Sequence, residues 1–184
     1  MDAIHLKALS YDLAQQQLHD LATFDNDASG CYDRIVVSLG MIAARRLGMP
    51  DEVVRLHATT LLNMEHFICT AHGISEASYK SSTERWLFGT GQGSGASPAV
   101  WLTLVICILS AFGAATNQSM NFATQNKQIK VNRKADSFVD DTTIGFKIRQ
   151  QEALTIMATL TGLQIMAQKW EKLLYATGGG GTRT

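Results

Sequence analysis

Three short segments of this 184-residue chain carry side chains that can do chemistry. In Phe24-Asp25-Asn26-Asp27-Ala28-Ser29-Gly30-Cys31-Tyr32, an apolar strand-like run ends in acids. Gly91-Gln92-Gly93-Ser94-Gly95-Ala96-Ser97-Pro98 is a glycine-rich loop ahead of an apolar run. Phe138-Val139-Asp140-Asp141 places two adjacent acids where a hairpin tip is expected. Taken singly, each has an ordinary reading as a helix cap, a loop or a turn. Taken together they make a chemical proposal. Two strand ends carrying Asp27, Asp140 and Asp141 side by side would gather like charges that repel unless divalent cations neutralise them. Hard carboxylate oxygens suit Mg²⁺ or Mn²⁺, and a pair of such ions about 3.5–4 Å apart drives in-line phosphoryl transfer.

Other motif readings fit less well. Gly91-x-Gly93-x-x-Ala96 matches part of a dinucleotide-binding fingerprint, but that fold needs an acid about 20 residues later. None stands between Glu84 and Asp136. No Gly-Lys-Ser/Thr of a phosphate-binding loop is present. Glu65-His66-x-x-Cys69-x-x-His72 has metal-binding residue types without a zinc spacing.

The elements that must position these segments read as follows. Residues 8–20 form a polar helix and Leu21 to Phe24 a short strand. Ile35 to Leu47 carry apolar residues at helical spacing, and Pro50 with Asp51 and Glu52 opens a second helix to about Met64. Phe67–Ala71 and Arg85–Phe88 read as strands joined by a polar segment, Ser75–Thr83. A helix from Ser97 to Ala114 follows the glycine loop. Asn117–Lys134 is a polar, basic connection, Ser137–Phe146 a hairpin with Asp140 and Asp141 at its tip, and Gln150–Ala176 a long amphipathic helix. This pattern is α+β, with a mostly antiparallel sheet.

Composition agrees with one folded domain. The chain is 46% apolar and 17% charged, with sixteen basic and sixteen acidic residues. Arg85, Lys127, Lys130, Arg133 and Lys134 fall in the acid-free stretch, so a polyanion could be met locally. Cys31, Cys69 and Cys107 are odd in number and widely spaced, which points to a reducing intracellular compartment. The apolar run Ala99–Ala115 starts at Ser97-Pro98 and lacks basic anchors, so a buried core helix is expected and no membrane partner. The run Gly178–Gly181 suggests a fragment cut at a turn.

Acid-x4-Tyr, then Gln-Gly-x-x-x-Ser-Pro, then Phe-x-Asp-Asp, in this order, resembles motifs A, B and C of reverse transcriptases, with the retrotransposon type the nearest likeness. The resemblance spans about residues 20–180. It implies a polymerase palm, a ferredoxin-like antiparallel sheet packed on helices, with part of the fingers. One domain over residues 1–184 is expected, lacking complete fingers and a thumb. It further implies an RNA-directed DNA polymerase using two Mg²⁺ ions, or Mn²⁺ in their place, an RNA or DNA template with primer, and deoxynucleoside triphosphates. Additional polyprotein domains would accompany it. Asp27, Asp140 and Asp141 would be catalytic metal ligands, with Asp25 a neighbour. Tyr32 would be the gate against a ribose 2′-hydroxyl. The amides from Ala28 to Cys31 would approach the triphosphate, Gln92 and Gly93 the templating base pair, and Phe138 the primer end. Phe138 stands where the family usually has tyrosine. Two alternatives remain open: a catalytically silent palm-like relic or nucleic-acid-binding module, and an RNA-dependent RNA polymerase. Gln92-Gly93 and Tyr32 argue against the latter.

Overall fold

The computed structural model describes residues 3–178, apart from 29, 83, 85, 86, 92, 118, 124, 125, 127, 129 and 149–155. The protein is α+β, and its chain divides into two compact units. One is formed by residues 1–29 and 105–184, the other by residues 30–104.

In the first unit, β1 (Asp20–Asp27), β7 (Asp141–Ile148) and β6 (Ala135–Phe138) lie side by side in that order, all antiparallel. Alternation gives the sheet two different faces. Ala22, Phe24 and Asn26 oppose Phe146, Ile144 and Thr142, and these three β7 residues are buried. Helix α5 (Ile156–Ala176) packs against β1 and β7. Its buried residues, Gly162, Met166, Trp170 and Leu174, recur every fourth position and so form one stripe. Trp170 stands edge-on to Phe112 of α4 (Ser97–Ala115), with ring centroids 5.6 Å apart. Fully burying such a side chain stabilises by about 1.5–3 kcal/mol.

The second face carries Leu21, Thr23, Asp25 and Asp27. Helix α1 (Ala3–Gln16) contacts β1 and β6. Its Leu13 and Ala14 join Leu21 in a cluster with Met120 and Phe122. These last two belong to β4 (Met120–Ala123), which pairs with β5 (Lys130–Arg133). Leu18 ends α1 in the left-handed conformation, φ 50°, while the His19 amide reaches the Ala14 carbonyl at 2.9 Å. That closing bond turns the chain directly into β1.

The second unit holds α2 (Val37–Arg46), α3 (Asp51–Asn63) and a two-stranded ribbon, β2 (Glu65–Thr70) with β3 (Gly73–Lys80). Pro50 immediately precedes α3, with Asp51 and Glu52 in its first turn as read from the sequence.

Five local expectations change. The first helix runs Ala3–Gln16 and not over residues 8–20, since the turn at Leu18 ends it and Asp20 already pairs in β1. Residues Ser75–Lys80 are not a connection but most of β3, and His66 and Tyr79 stack across the ribbon at 5.2 Å. Leu87 and Phe88 are not strand, while Arg85 lies outside the described residues. Within Asn117–Lys134, β4 and β5 pair; four-residue strands are too short for their alternation to stand out among polar neighbours. Strand β1 runs on to Asp27, three residues beyond Phe24, because Asp25, Asn26 and Asp27 have partners in β7. The long C-terminal helix is described from Ile156; residues 150–155 lie outside the described set. Helix α4 is long and apolar enough to cross a membrane by length and composition, and Val100, Trp101, Leu104, Val105, Ile108 and Phe112 along it are buried.

Candidate active site

Register alone brings the acids together. Asp27 is the last residue of β1 and Asp141 the first of β7, and the two are direct partners across the ladder. Directly opposed residues of an antiparallel pair project from the same face, with Cβ atoms about 4.5–5.5 Å apart. Two carboxylates in that relation repel. Asp140 occupies the hairpin turn beside them, and its carbonyl accepts the Ala28 amide at 3.1 Å. Ala28 is buried, and its amide thus closes the strand end onto the hairpin rather than pointing to a ligand. Val139, the other turn residue, sits at φ 55°, a strained conformation for a β-branched side chain.

The same face carries two rows of acids with different environments. In the inner row, Asp25 and Asp136 flank Thr143. The Lys7 ammonium of α1 donates to Asp25 at 2.8 Å, and the Thr143 hydroxyl donates to the same carboxylate oxygen. Both bonds, Lys7's first, hold the Asp25 carboxyl below its usual pKa. The bond to Asp25 raises the Lys7 pKa, with a smaller contribution from the charge of Asp141. Asp136 is held by Arg133, whose Nε lies 3.1 Å from Asp136 Oδ1. In the outer row, Asp27 and Asp141 lie beside Phe138, which is two-thirds exposed and opposes Asp141 from β6. Among the described residues, neither Asp27, Asp140 nor Asp141 has a side-chain hydrogen bond or ion pair.

Among the described residues, no three His, Cys, Asp or Glu side chains converge to hold a metal ion. The donor set at the strand end is the Asp27–Asp141 pair, with Asp140 adjoining. Two carboxylates completed by substrate phosphates and water are a usual protein contribution to a Mg²⁺ site, so these residues fit that ion.

The remaining expected site residues lie in the second unit. The carbonyl of half-buried Tyr32 accepts the Thr90 amide at 2.9 Å, and the Ile35 carbonyl accepts the Gly89 amide at 2.7 Å. Tyr32 and the start of the glycine loop therefore belong to one hydrogen-bonded piece. The buried Ser97 hydroxyl donates toward the carbonyls of Thr90 and Gly91, at 3.0 and 2.8 Å, pinning that loop to the start of α4. Gly93 is at φ 93° with open space around its missing side chain. Gln92 lies outside the described residues, as does Lys127.

Two of the basic residues read as facing a polyanion turn inward instead. Arg133 serves Asp136 and Ser10, and Lys134 donates to the Gly113 and Thr116 carbonyls at the end of α4. Lys169 adds a bond to Ala115 there, at 2.7 Å, so two cations complement the helix dipole. Lys7 and Arg133 are the site residues that sequence reasoning missed. A helical lysine twenty residues before Asp27 gives no signal of its own until the helix is folded back on the strand.

The chain matches no model of a known protein family, and no curated protein matches it.

Proposed function

We propose that this chain is the palm-containing core, with part of the fingers, of a retroelement-type RNA-directed DNA polymerase. The observation that carries the reading is the contrast between the rows. Asp25 and Asp136 are each hydrogen-bonded to a cation, whereas, among the described residues, Asp27 and Asp141 oppose each other at an exposed strand end with no such bond. Motif order in the sequence supplies the rest: the outer acids come from the segments that resemble motifs A and C.

In this reading Asp27, Asp141 and Asp140 would hold Mg²⁺, with Mn²⁺ as substitute. When bound, the ions would supply activation of the primer 3′-hydroxyl and charge neutralisation at the triphosphate. The hydroxyl oxygen attacks the α-phosphorus of a deoxynucleoside triphosphate, and the bond to pyrophosphate breaks. The chain's contribution is positioning and electrostatics. Exposed Phe138 offers its ring to the primer end. Tyr32 excludes a ribose 2′-hydroxyl, and Gln92 with Gly93 meets the templating pair, where glycine permits close approach. The Ala28 amide, engaged by Asp140, shapes the strand end instead of binding phosphate.

A second reading, a silent palm that only binds nucleic acid, has one observation in its favour: no three metal-binding side chains converge among the described residues. Primer extension on an RNA template, with Mg²⁺ and separately with Mn²⁺, separates the two. The control is the double variant Asp140→Asn/Asp141→Asn, checked as folded. Extension by the parent but not the variant supports the polymerase. Nucleic-acid binding without extension by either supports the silent palm.

A further inference from the structure

The ribbon of β2 and β3 stands almost entirely in solvent. No residue of either strand is buried, and Phe67, Ile68, Ile74 and Tyr79 are each at least half exposed. A lone two-stranded hairpin with no packed face is marginal in water, and a strand edge left open is a template for pairing with another chain. The two edges of this ribbon differ. Between the Phe67–Ser78 and Cys69–Ile74 pairs, Ile68 alone on β2 stands against Ser75, Glu76 and Ala77 on β3. The extra residues bulge β3 and blunt its edge. The Ser75 hydroxyl fills the gap, accepting the Ile68 amide at 3.0 Å and donating to the Ala77 carbonyl at 2.7 Å. Strand β2 stays regular and carries neither Pro nor Lys. Because the Ile68 amide turns toward β3, alternation turns the backbone groups of Glu65, Phe67 and Cys69 outward.

We propose that the outer edge of β2 is the interface at which two copies of this chain join, strand against strand and antiparallel, about a two-fold axis at Phe67. The sequence of the edge is self-complementary, which commits the occupant to a second copy. With Phe67 opposite Phe67 of the second copy, Glu65 falls opposite Cys69 of that copy and Cys69 opposite its Glu65. All three outward-turned residues of each chain then exchange backbone hydrogen bonds, and any shifted register leaves at least one of them unmatched. Charge agrees. Glu65 is the one carboxylate of β2, and this register sets it against a thiol and not against another acid. Side chains agree on both faces. The two Phe67 rings form a cross-strand aromatic pair on one, and on the other Ile68 meets His66 of the second copy beside the His66–Tyr79 stack. The joined sheet has four strands, enough to stand on its own where two are not. The inference is independent of what the acids at the β1–β7 end do.

Sedimentation velocity of the full chain, from about 1 to about 300 μM, reads the association, since so small a contact should be weak. The parent should pass from monomer to dimer across that range. Phe67→Lys and Phe67→Glu change an exposed side chain whose amide points away from β3, so each variant should keep the hairpin, checked by urea unfolding. Each alone should stay monomeric, because like charges would meet at the axis. Mixed in equal amounts, the two should associate at least about tenfold more tightly than either does alone, because opposite charges then meet there. Glu76→Lys, on the bulged strand, should dimerise as the parent does. A parent that stays monomeric at the highest concentration overturns the proposal, as does one that binds an unrelated extended peptide but not itself. A dimer that survives Phe67→Lys unchanged, or a mixture of the two folded variants no tighter than each alone, puts the contact elsewhere and overturns it equally.

Discussion

The indole N–H of Trp170 donates to the Asn26 side-chain oxygen at 3.1 Å, from the side of β1 opposite to Asp25 and Asp27. One residue thus anchors the strand from below between two acids that project above. An aspartate at position 26 would place an unpaired charge on the core face, so this strand alternates acid, amide, acid for a packing reason. Trp170→Phe keeps most of the apolar surface and leaves the Asn26 oxygen without its donor. We expect a loss of about 1–2 kcal/mol in urea unfolding, with unchanged helix content. A variant as stable as the parent would show that the bond contributes nothing to holding β1.

A different consequence follows for Tyr32, whose carbonyl is tied to Thr90 and so to the glycine loop. In the proposed function its ring excludes ribonucleotides. Tyr32→Val should lower discrimination against ribonucleoside triphosphates at least about tenfold, equivalent to ~1.4 kcal/mol in relative kcat/KM. Deoxynucleotide incorporation should change less. Steady-state incorporation of matched ribo- and deoxynucleotides measures the ratio, and an unchanged ratio would remove Tyr32 from the gate.

Two glycines of the same loop should respond to different degrees. A Cβ at Gly89 would lie 2.7 Å from the Asp33 Cα and 2.8 Å from its carbonyl oxygen, at φ 95°. Gly89→Ala should cost about 2–4 kcal/mol, since strain and a backbone clash add. A Cβ at Gly93 meets nothing within 4 Å, so Gly93→Ala should cost only about 1–2 kcal/mol from its backbone conformation. If Gly93 leaves room for a template, that variant should still weaken primer–template binding more than it weakens the fold. Chemical denaturation and fluorescence anisotropy with a labelled duplex read the two effects separately.

Much of this arrangement was legible in the residues. A hairpin ahead of β7, a strand leading into the acids at Asp25 to Asp27 and the helix starting at Ser97 follow from turn chemistry, alternation and capping, which act within a few residues; the tip itself falls at Val139 and Asp140, and the strand runs on through the acids. The β2–β3 ribbon was not legible as a unit, because both strands are almost wholly exposed and lack a buried face to impose alternation. The inward turn of Arg133 and Lys134 was not legible either. Charge runs look solvated until the carbonyl ends of α4 and the Asp136 carboxylate are placed beside them. The row structure of the acids lies between these cases. Period-two spacing puts Asp25 and Asp27 on one face, but only the packing of α1 says which of them receives a lysine.

That lysine has a pH signature. Lys7 has its pKa raised from 10.5 chiefly by the bond to Asp25, and Asp25 has its own lowered from 3.8 chiefly by the bond to Lys7. A raised lysine contributes stability fully below its unfolded value, and that contribution is lost as pH rises through the higher folded value. A lowered aspartate contributes stability above its unfolded value, lost as pH falls through the lower folded one. The pair therefore stabilises across the interval from about 4 to about 10.5 and fades at both ends. Because the carboxylate is two-thirds exposed, solvent screening keeps the plateau small, about 0.5–1 kcal/mol. Urea unfolding of the parent and of Lys7→Met at pH 3, 7 and 11 should show that gap at pH 7. It should narrow at pH 3, which lies below the unfolded value of Asp25, and at pH 11, which lies above the unfolded value of Lys7. A gap of constant size at all three would mean that Lys7 stabilises α1 through its covered stem and not through its charge.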